Sequence, residues 1–301
     1  MSADGMAKFF EALGHRVLRT QSTYWYDVFR RFYLGFPHHR TLDLPEEELS
    51  EVFRHLPAGV RYFAPPTASG RASYSLVIRD RGYDLDRLSS NTRSKVRRGL
   101  GRCQVERLTP AYVRAHGREI NDDTLRRTRM QDRYPWDLYW EAAEQSSDCV
   151  EVWGASIDGV LAAYLVGVRA DRGCELLIAR SHSETLKHYP NNALLFTVVR
   201  DMLARPDVDE VFFGVESLDD AAEGTELFKL SMGFTKSPIR QRIVLHPLLR
   251  PALRSRLVVR ALAALSHRRP DNELLRKLHG LAVFSSPASG QDPLPSPPVA
   301  Q

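Results

Sequence analysis

The spacing of hydrophobic and polar positions changes several times along the chain, and each change marks the border of a predicted element. Residues 104–108 form a short strand candidate. Thr109 and Pro110 follow it and predict the start of a helix, because threonine caps helix N-termini and proline is tolerated at the first helical position. We expect that helix to end near Arg129 and a second helix to begin near Pro135.

The next apolar runs predict three antiparallel strands. Residues 150–157 and 160–168 are joined by Asp158 and Gly159, a pair that adopts positive φ angles readily and therefore favours a tight hairpin turn. A third strand is predicted at 175–179. Together these runs indicate an antiparallel meander.

Helical spacing returns after these strands. Apolar residues recur three and four positions apart over 194–203, which predicts a buried amphipathic helix with Asn191 or Asn192 as its cap. The run 210–215 is short and rich in β-branched and aromatic residues, so it predicts a central strand buried on both faces. A strand, helix, strand crossover is the consequence.

Two elements follow this crossover. A short helix is predicted at 225–232, where Gly233 can end it in the left-handed conformation, and a final strand is predicted at 239–245. The predicted order is therefore one strand, two helices, three antiparallel strands, helix, strand, helix, strand. This order indicates an α/β (α+β) fold with a central mixed sheet flanked by helices.

The chain before residue 102 predicts a smaller α/β unit, and a degenerate copy of the later domain is one interpretation of it. Its strand candidates are residues 16–20, 60–64 and 73–79, and its helix candidates are residues 25–34 and 46–55. The predicted division is an N-terminal unit at 1–101, a main domain at 102–247, a basic helical extension at 248–284 and a disordered tail at 285–301.

Composition predicts a globular protein without a membrane span. The apolar fraction is 43%, the charged fraction is 26%, and no stretch approaches the ~20 apolar residues that cross a bilayer. The first residues lack the pattern of a secretory signal, so we expect a cytoplasmic protein. Cys103, Cys149 and Cys174 have neither disulfide nor metal-ligand spacing, which predicts ordinary reduced thiols and no metal.

The net charge of +5 is unevenly distributed. Residues 93–102 contain five basic residues and no acid, and residues 246–280 are also strongly basic. Such segments suit an anionic partner, either a phosphate-bearing cofactor, a nucleic acid or a lipid surface, although solvated helix faces have the same composition. Peripheral membrane contact of the extension is one hypothesis, and packing on the core is the alternative that we favour.

Several motifs resemble those of a known superfamily. The order of elements and the sequence FKLSMGF at 228–234 are similar to the GNAT acyltransferase core. The basic helix from Asn91 to Arg98, the segment WGASIDGVLAAYL at 153–165 and the helix start at 190–192 resemble the acetyltransferase-like domain of the Fem-type aminoacyltransferases. The resemblance implies an N-acyltransferase in which a small-molecule amine attacks the acyl group directly.

One departure from the superfamily leaves the acyl donor open. GNAT enzymes cradle the coenzyme A pyrophosphate in a glycine-rich turn before the central helix, whereas residues 182–192 contain no glycine. The resemblance implies acetyl-CoA or another acyl-CoA as first choice. Aminoacyl-tRNA, the donor of the Fem-type relatives, is the alternative. A non-catalytic degenerate GNAT module that binds nucleic acid or membrane is the third reading.

The candidate site residues follow from where the GNAT core holds its reacting carbonyl, at the separating ends of the strands predicted at 175–179 and 210–215. We predict catalytic roles for Glu216, as general base, and for His182 and Ser217; a loop histidine and helix-capping residues are the structural alternatives. The predicted cofactor-binding and substrate-binding residues are Ser181, Asn191, Asn192 and Lys229, and Arg93 and Arg97, respectively.

Overall fold

The computed structural model describes residues 2–29, 31–55, 57–128, 130–216, 223–246, 260–261, 263–265 and 268. Its helices are α1 Ala3–Ala12, α2 Glu46–Phe53, α3 Ser90–Leu100, α4 Pro110–His116, α5 Arg118–Thr128, α6 Trp136–Gln145, α7 Pro190–Ala204 and α8 Glu223–Ser231. Its strands are β1 Val17–Arg19, β2 Tyr24–Phe29, β3 Phe32–Phe36, β4 Gly59–Ala64, β5 Arg71–Ile78, β6 Gln104–Leu108, β7 Val150–Ile157, β8 Val160–Ala170, β9 Gly173–Ser181, β10 Glu210–Val215 and β11 Thr235–Leu245. None of the described helices is long and apolar enough to cross a bilayer.

The first of two compact units comprises Met1–His15, Ser75–Val215 and Asp220–Ser237. Its strands lie in the order β5–β10–β9–β8–β7–β6. Strands β7 to β9 form the predicted antiparallel meander, and β6 pairs antiparallel to β7. Strand β10 pairs parallel to β9 and antiparallel to β5. The predicted boundary at residue 101 falls inside this unit, between α3 and β6.

Helix α7 forms the centre of the core of this first unit. It packs against β7, β8 and β9, and its buried side chains include Phe196, Val199 and Met202. Helix α1, which the sequence pattern did not predict, is capped by Ser2 and packs against α6 and β8. All three cysteines are buried and free, as expected of structural thiols.

A buried carboxylate ties β7 to the end of α7. The Glu151 side chain is 1% exposed and accepts hydrogen bonds of 2.5 and 3.0 Å from the two terminal nitrogens of Arg205. The Nε atom of Arg169 lies 2.7 Å from the same carboxylate, at an angle outside hydrogen-bond geometry. Burial alone would raise the pKa of Glu151, but these guanidinium groups and Arg107 hold it below its ordinary value.

The second unit comprises Arg16–Tyr74, Glu216–Asp219 and Pro238–Gln301. Its strands lie in the order β1–β2–β3–β4–β11, with β3 and β4 parallel and the other pairs antiparallel. Helix α2 contributes Leu49 and Val52 to a core that also contains Trp25 and Tyr62.

The helix predicted at 25–34 is wrong, because this segment forms the β2–β3 hairpin. Arg31 lies in its turn with a φ angle of 64°. Aromatic residues such as Trp25, Tyr26 and Tyr33 favour strands, and here they are buried in a sheet. The apparent helical spacing came from a hairpin in which both faces are apolar.

Local turn and cap signals were confirmed where they depend on only a few residues. Asp158 and Gly159 form the hairpin turn with φ angles of 51° and 80°. Gly233 ends α8 at φ 93°, and Thr109 caps α4 by accepting a hydrogen bond from the Tyr112 N–H. The helix expected to run from Pro110 to about Arg129 is instead two helices, α4 and α5.

The predicted cap of α7 is wrong. Tyr189 occupies the N-cap position in the left-handed conformation and makes no side-chain cap. The Asn191 and Asn192 side chains donate instead to Ser181 Oγ and Met232 Sδ. The two asparagine side chains thus bond residues outside the helix, although the local pattern had predicted one of them as the helix cap.

Helices α3 and α7 approach each other closely at one glycine. A Cβ atom on Gly99 would lie 2.6 Å from the Tyr189 carbonyl oxygen and 3.0 Å from the Ala193 Cβ. Side chains that approach within such distances force a backbone shift. The position of the basic helix α3 therefore requires glycine, which has no side chain, at residue 99.

We predict that Gly99→Ala destabilises the protein by about 1–3 kcal/mol, because the added methyl group forces α3 away from α7. Denaturant unfolding measures the change. Gly101→Ala is the matched control, since the nearest atom to its Cβ lies at 3.4 Å and its φ angle of −77° suits alanine. Equal midpoints for Gly99→Ala and the wild-type protein would contradict the close approach.

Candidate functional site

Strands β9 and β10 pair only over their first residues. Glu210, Val211 and Phe212 lie opposite Gly173, Cys174 and Glu175. Beyond this point β9 continues to Ser181 and β10 to Val215 with no further register pairs between these two described strands. The strands therefore separate toward their carboxyl ends, where ligands of open α/β sheets commonly bind.

A bulge accompanies this separation. The register between β10 and β5 shifts between Phe212 and Val215, and Gly214 has a φ angle of 92°. Only Val211 and Phe212 of β10 are buried, so the predicted burial of the whole strand on both faces is wrong. A glycine inside a strand often marks such a bulge and a close approach by another group.

Lys229 of α8 fills the space beside the bulge. Its Nζ atom donates a 2.7 Å hydrogen bond to the Phe213 carbonyl oxygen and lies 4.2 Å from the centre of the Phe213 ring. Burial lowers the pKa of Lys229 to about 8, although Glu226 opposes this shift. The lysine is therefore a half-buried group that changes charge just above neutral pH, not an exposed helix side chain.

The carboxyl end of β9 is held by a polar network around Ser181, which is 2% exposed. Thr124 bonds both the N–H and the carbonyl oxygen of Ser181, through its own hydroxyl. The Ser181 hydroxyl oxygen accepts hydrogen bonds from Asn191 at 2.9 Å and from Arg127 at 3.2 Å. The serine thus connects β9, α5 and the first turn of α7.

A second group of polar residues lies next to this network. Arg180 Nε donates to Asn121 Oδ1 at 3.0 Å, and Asn121 Nδ2 donates to Asp132 at 2.8 Å. Asn121 is 3% exposed. Its side-chain amide lies between the Arg180 guanidinium and the Asp132 carboxylate and makes a hydrogen bond to each.

His182 follows β9 and has a structural contact. Its Nδ1 atom accepts a 3.4 Å hydrogen bond from the Glu184 N–H at the start of a short 3₁₀ helix. Its Nε2 atom lies 3.8 Å from a Glu119 oxygen. The ring therefore caps a turn on one side and faces an exposed carboxylate on the other.

The start of α7 does not fit the phosphate-binding turn of coenzyme A enzymes. Tyr189 precedes the helix, and Pro190 at its first position has no N–H to offer a phosphate. Gly99 of α3 contacts the Tyr189 carbonyl from the other side. Close approach of a pyrophosphate to several backbone N–H groups normally requires glycines, which this segment lacks.

The predicted basic residues of α3 differ in exposure. Arg93 is half-buried, donates to the Leu88 carbonyl oxygen at 3.3 Å and has a buried Nε atom without a hydrogen-bond partner. Arg97 is exposed. Arg98 lies 4.6 Å above the Tyr189 ring, so α3 places positive charge beside the start of α7.

The two residues predicted to follow β10 are only partly described. Glu216 is half-buried, and its N–H donates to the Tyr74 carbonyl oxygen within the second unit. Ser217 lies outside the described residues. Their predicted catalytic roles stay predictions.

Sequence reasoning missed the contribution of α5. Asn121 and Thr124 lie three residues apart on the same buried face as Ile120 and Leu125. Polar residues at this spacing on an otherwise apolar face mark buried hydrogen bonding and could have been recognised. The Gly214 bulge also had a signal, since glycine weakens a regular strand.

A model of the GNAT acetyltransferase domain matches residues 86–229. The match begins before α3 and ends at Lys229, so it includes β9, β10 and the start of α7. A comparison of the sequence with curated proteins found no match.

Solved structures with the same fold have low sequence identity. FemX has a TM-score of 0.58 at 12% identity, covering 81% of this chain and 92% of that chain. The C-terminal domain of a lysylphosphatidylglycerol synthetase from Agrobacterium fabrum, described as putative, has a TM-score of 0.55 at 13% identity, covering 81% and 88%. The L-PGS structure from Bacillus licheniformis has a TM-score of 0.54 at 11% identity, covering 79% and 86%.

The separated strands, the helix packed beneath them and the residues that surround their ends all lie within the matched segment. Residues 86–229 therefore match the GNAT acetyltransferase domain, and the chain shares its fold with FemX, with the domain of the putative lysylphosphatidylglycerol synthetase and with L-PGS.

Proposed function

We propose that the protein is an N-acyltransferase in which an amine attacks an activated acyl carbonyl where β9 and β10 separate. The observation that carries this proposal is Lys229, a half-buried cation at the bulge of β10. Acyl transfer places negative charge on the carbonyl oxygen, and a fixed N–H donor shielded from water stabilises that charge strongly. Among the described residues, the hydrogen bond from Lys229 goes to the Phe213 carbonyl oxygen, and an ammonium group has further N–H donors that can face a ligand.

The reaction forms a bond between the amine nitrogen and the acyl carbon and then breaks the bond to the leaving oxygen or sulfur. The amine loses one proton and the leaving group gains one. Glu216, directly after β10, is our first candidate for accepting the amine proton, and His182 and Ser217 are the others. Lys229 acts as a cation toward the oxyanion in this scheme.

We favour aminoacyl-tRNA as the donor ahead of acetyl-CoA or another acyl-CoA. The start of α7 lacks the glycine-rich turn, and Pro190 removes one N–H donor. The exposed Arg97 and the other basic residues of α3 lie on the helix that packs against this start, where a nucleic acid backbone would supply several phosphates. The fold shared with FemX supports the same donor.

An assay of both donors tests the activity itself. Labelled aminoacyl-tRNA and labelled acetyl-CoA are each incubated with the protein and a small-molecule fraction of a host extract, and label in amides is measured. We expect label from aminoacyl-tRNA. Transfer from acetyl-CoA alone would reverse our order of donors, and absence of transfer from both, with nucleic acid or lipid still bound, would favour the non-catalytic module.

We predict that Lys229→Met lowers the rate of acyl transfer by roughly a hundredfold, because it removes a donor to the oxyanion. The same substitution removes a partly buried charge, which favours folding, and the donor to the Phe213 carbonyl oxygen, which opposes it, so we expect the melting temperature to change little. Lys8→Met is the matched control, because this lysine is exposed on α1. A Lys229→Met variant with a lower melting temperature and a normal rate of acyl transfer would show that the lysine only stabilises the bulge.

The pKa of Lys229, about 8, predicts a pH dependence of stability. The folded-state pKa lies below the ordinary lysine value of 10.5, so the unfolded chain binds more protons between these two pH values. The wild-type protein should therefore gain stability relative to Lys229→Met as the pH rises from about 8 to about 10. Denaturant midpoints measured across this range give the test, and a constant difference would contradict the burial of the charge.

Salt dependence tests the contact between α3 and nucleic acid. We predict that tRNA binding weakens steeply between about 50 and 300 mM salt, and that Arg97→Gln reduces the slope of log K against log salt by about one. Filter binding measures both. Arg126→Gln on α5 is the matched control and should leave the slope unchanged, because we place no phosphate contact on that exposed residue.

If the slope for Arg97→Gln equals that of the wild-type protein, Arg97 makes no phosphate contact, and α3 is not part of the nucleic acid interface. A shallow slope for the wild-type protein, together with coenzyme A binding in calorimetry, would instead support an acyl-CoA donor.

A further inference from the structure

The second unit contains an arginine in the middle of its sheet. Arg61 lies on β4, opposite Leu34 of β3 on one side and Ile243 of β11 on the other. It is a half-buried residue whose Nε atom is sealed from solvent. A position between two neighbouring strands is normally occupied by an apolar or β-branched side chain.

Arg61 makes one side-chain hydrogen bond, to an uncharged group. Its Nη2 atom donates to Gln241 Oε1 at 2.5 Å. Gln241 is 2% exposed, and its own amide nitrogen donates to Ser73 Oγ at 2.7 Å. The glutamine amide is therefore held with its oxygen toward the guanidinium, which orients Arg61 but does not neutralise it.

No carboxylate in the described part of the chain compensates this cation. Its Nε atom has no hydrogen-bond partner among the described residues, and the guanidinium carbon lies 5.5 Å from the centre of the Phe63 ring. Burial lowers the pKa of Arg61 to about 10, and Tyr26 opposes this only in part. The guanidinium nevertheless stays charged at neutral pH.

In the first unit, by contrast, a buried charge has partners of the opposite charge. There the buried carboxylate of Glu151 has three guanidinium groups around it, from Arg107, Arg169 and Arg205. An uncompensated buried charge opposes folding, so a hydrophobic residue at position 61 would be favoured if packing were the only requirement. The cation at this position therefore indicates a ligand that supplies the missing negative charge.

We propose that Arg61 is the centre of an anion-binding site in the second unit, which takes a carboxylate or phosphate group of a ligand. The planar guanidinium presents paired N–H donors that match the oxygens of either group. Gln241 and Ser73 fix its orientation, so little side-chain freedom is lost when the anion binds. The proposal does not depend on the reaction proposed for the first unit.

Thermal unfolding of the full chain with inorganic phosphate and, separately, with acetate tests the site. Potassium chloride at equal ionic strength is the reference for both. We expect at least one of the two anions, at about 50 mM, to raise the melting temperature by roughly 2 °C or more over chloride. A rise with phosphate alone indicates a phosphate-bearing ligand, and a rise with acetate alone indicates a carboxylate-bearing one.

Three variants assign the effect to Arg61. Arg61→Met should abolish the anion-dependent rise, and Arg61→Lys should reduce it, because lysine keeps the charge and loses the paired donors. Arg54→Met is the matched control, since it removes an exposed arginine of the same unit and should keep the full rise. Equal melting temperatures of the wild-type protein in all three salts, or a full rise in Arg61→Met, would overturn the proposal.

Discussion

The separation of β9 from β10 is the constraint on which the site depends. Once two strands part, their backbone groups lose the sheet partners that they would otherwise have, and each needs another one. At Phe213 that partner is the ammonium group of Lys229, which reaches the carbonyl oxygen from α8. The bulge at Gly214 and the position of α8 therefore act together. The bulge places the Phe213 carbonyl oxygen beside α8, and α8 supplies the Lys229 ammonium group that donates to it.

The charges removed from water in this molecule differ in whether an opposite charge lies beside them. Glu151 is surrounded by guanidinium groups and fixes β7 against the end of α7, so its charge is fully used within the protein. In the part of the chain that the structure describes, the side-chain hydrogen bonds of Lys229 and Arg61 go to neutral oxygens, a carbonyl and an amide. Such groups oppose folding by themselves, and in our proposals an anion or an oxyanion supplies the compensating charge.

Sequence patterns were informative where a few neighbouring residues decide the structure. The Asp158–Gly159 turn and the end of α8 at Gly233 belong to this class. The order of the elements followed from the hydrophobic spacing of the successive segments. The helix predicted at 25–34 was wrong because this segment folds back on itself as the β2–β3 hairpin, and β3 also pairs with β4 from later in the chain. Lys229 was selected from sequence, but its burial depends on a bulge set by the pairing of three strands, which no local pattern contains.

The contact of Gly99 with the Tyr189 carbonyl has a geometric consequence for any ligand that touches both helices. Since not even a methyl group fits between α3 and α7, the two helices cannot slide along each other without losing the contact. The spacing between the positive charges of α3 and the first turn of α7 is therefore constant. A ligand that contacted both helices would have to match this spacing with the distance between its charged and its reactive ends.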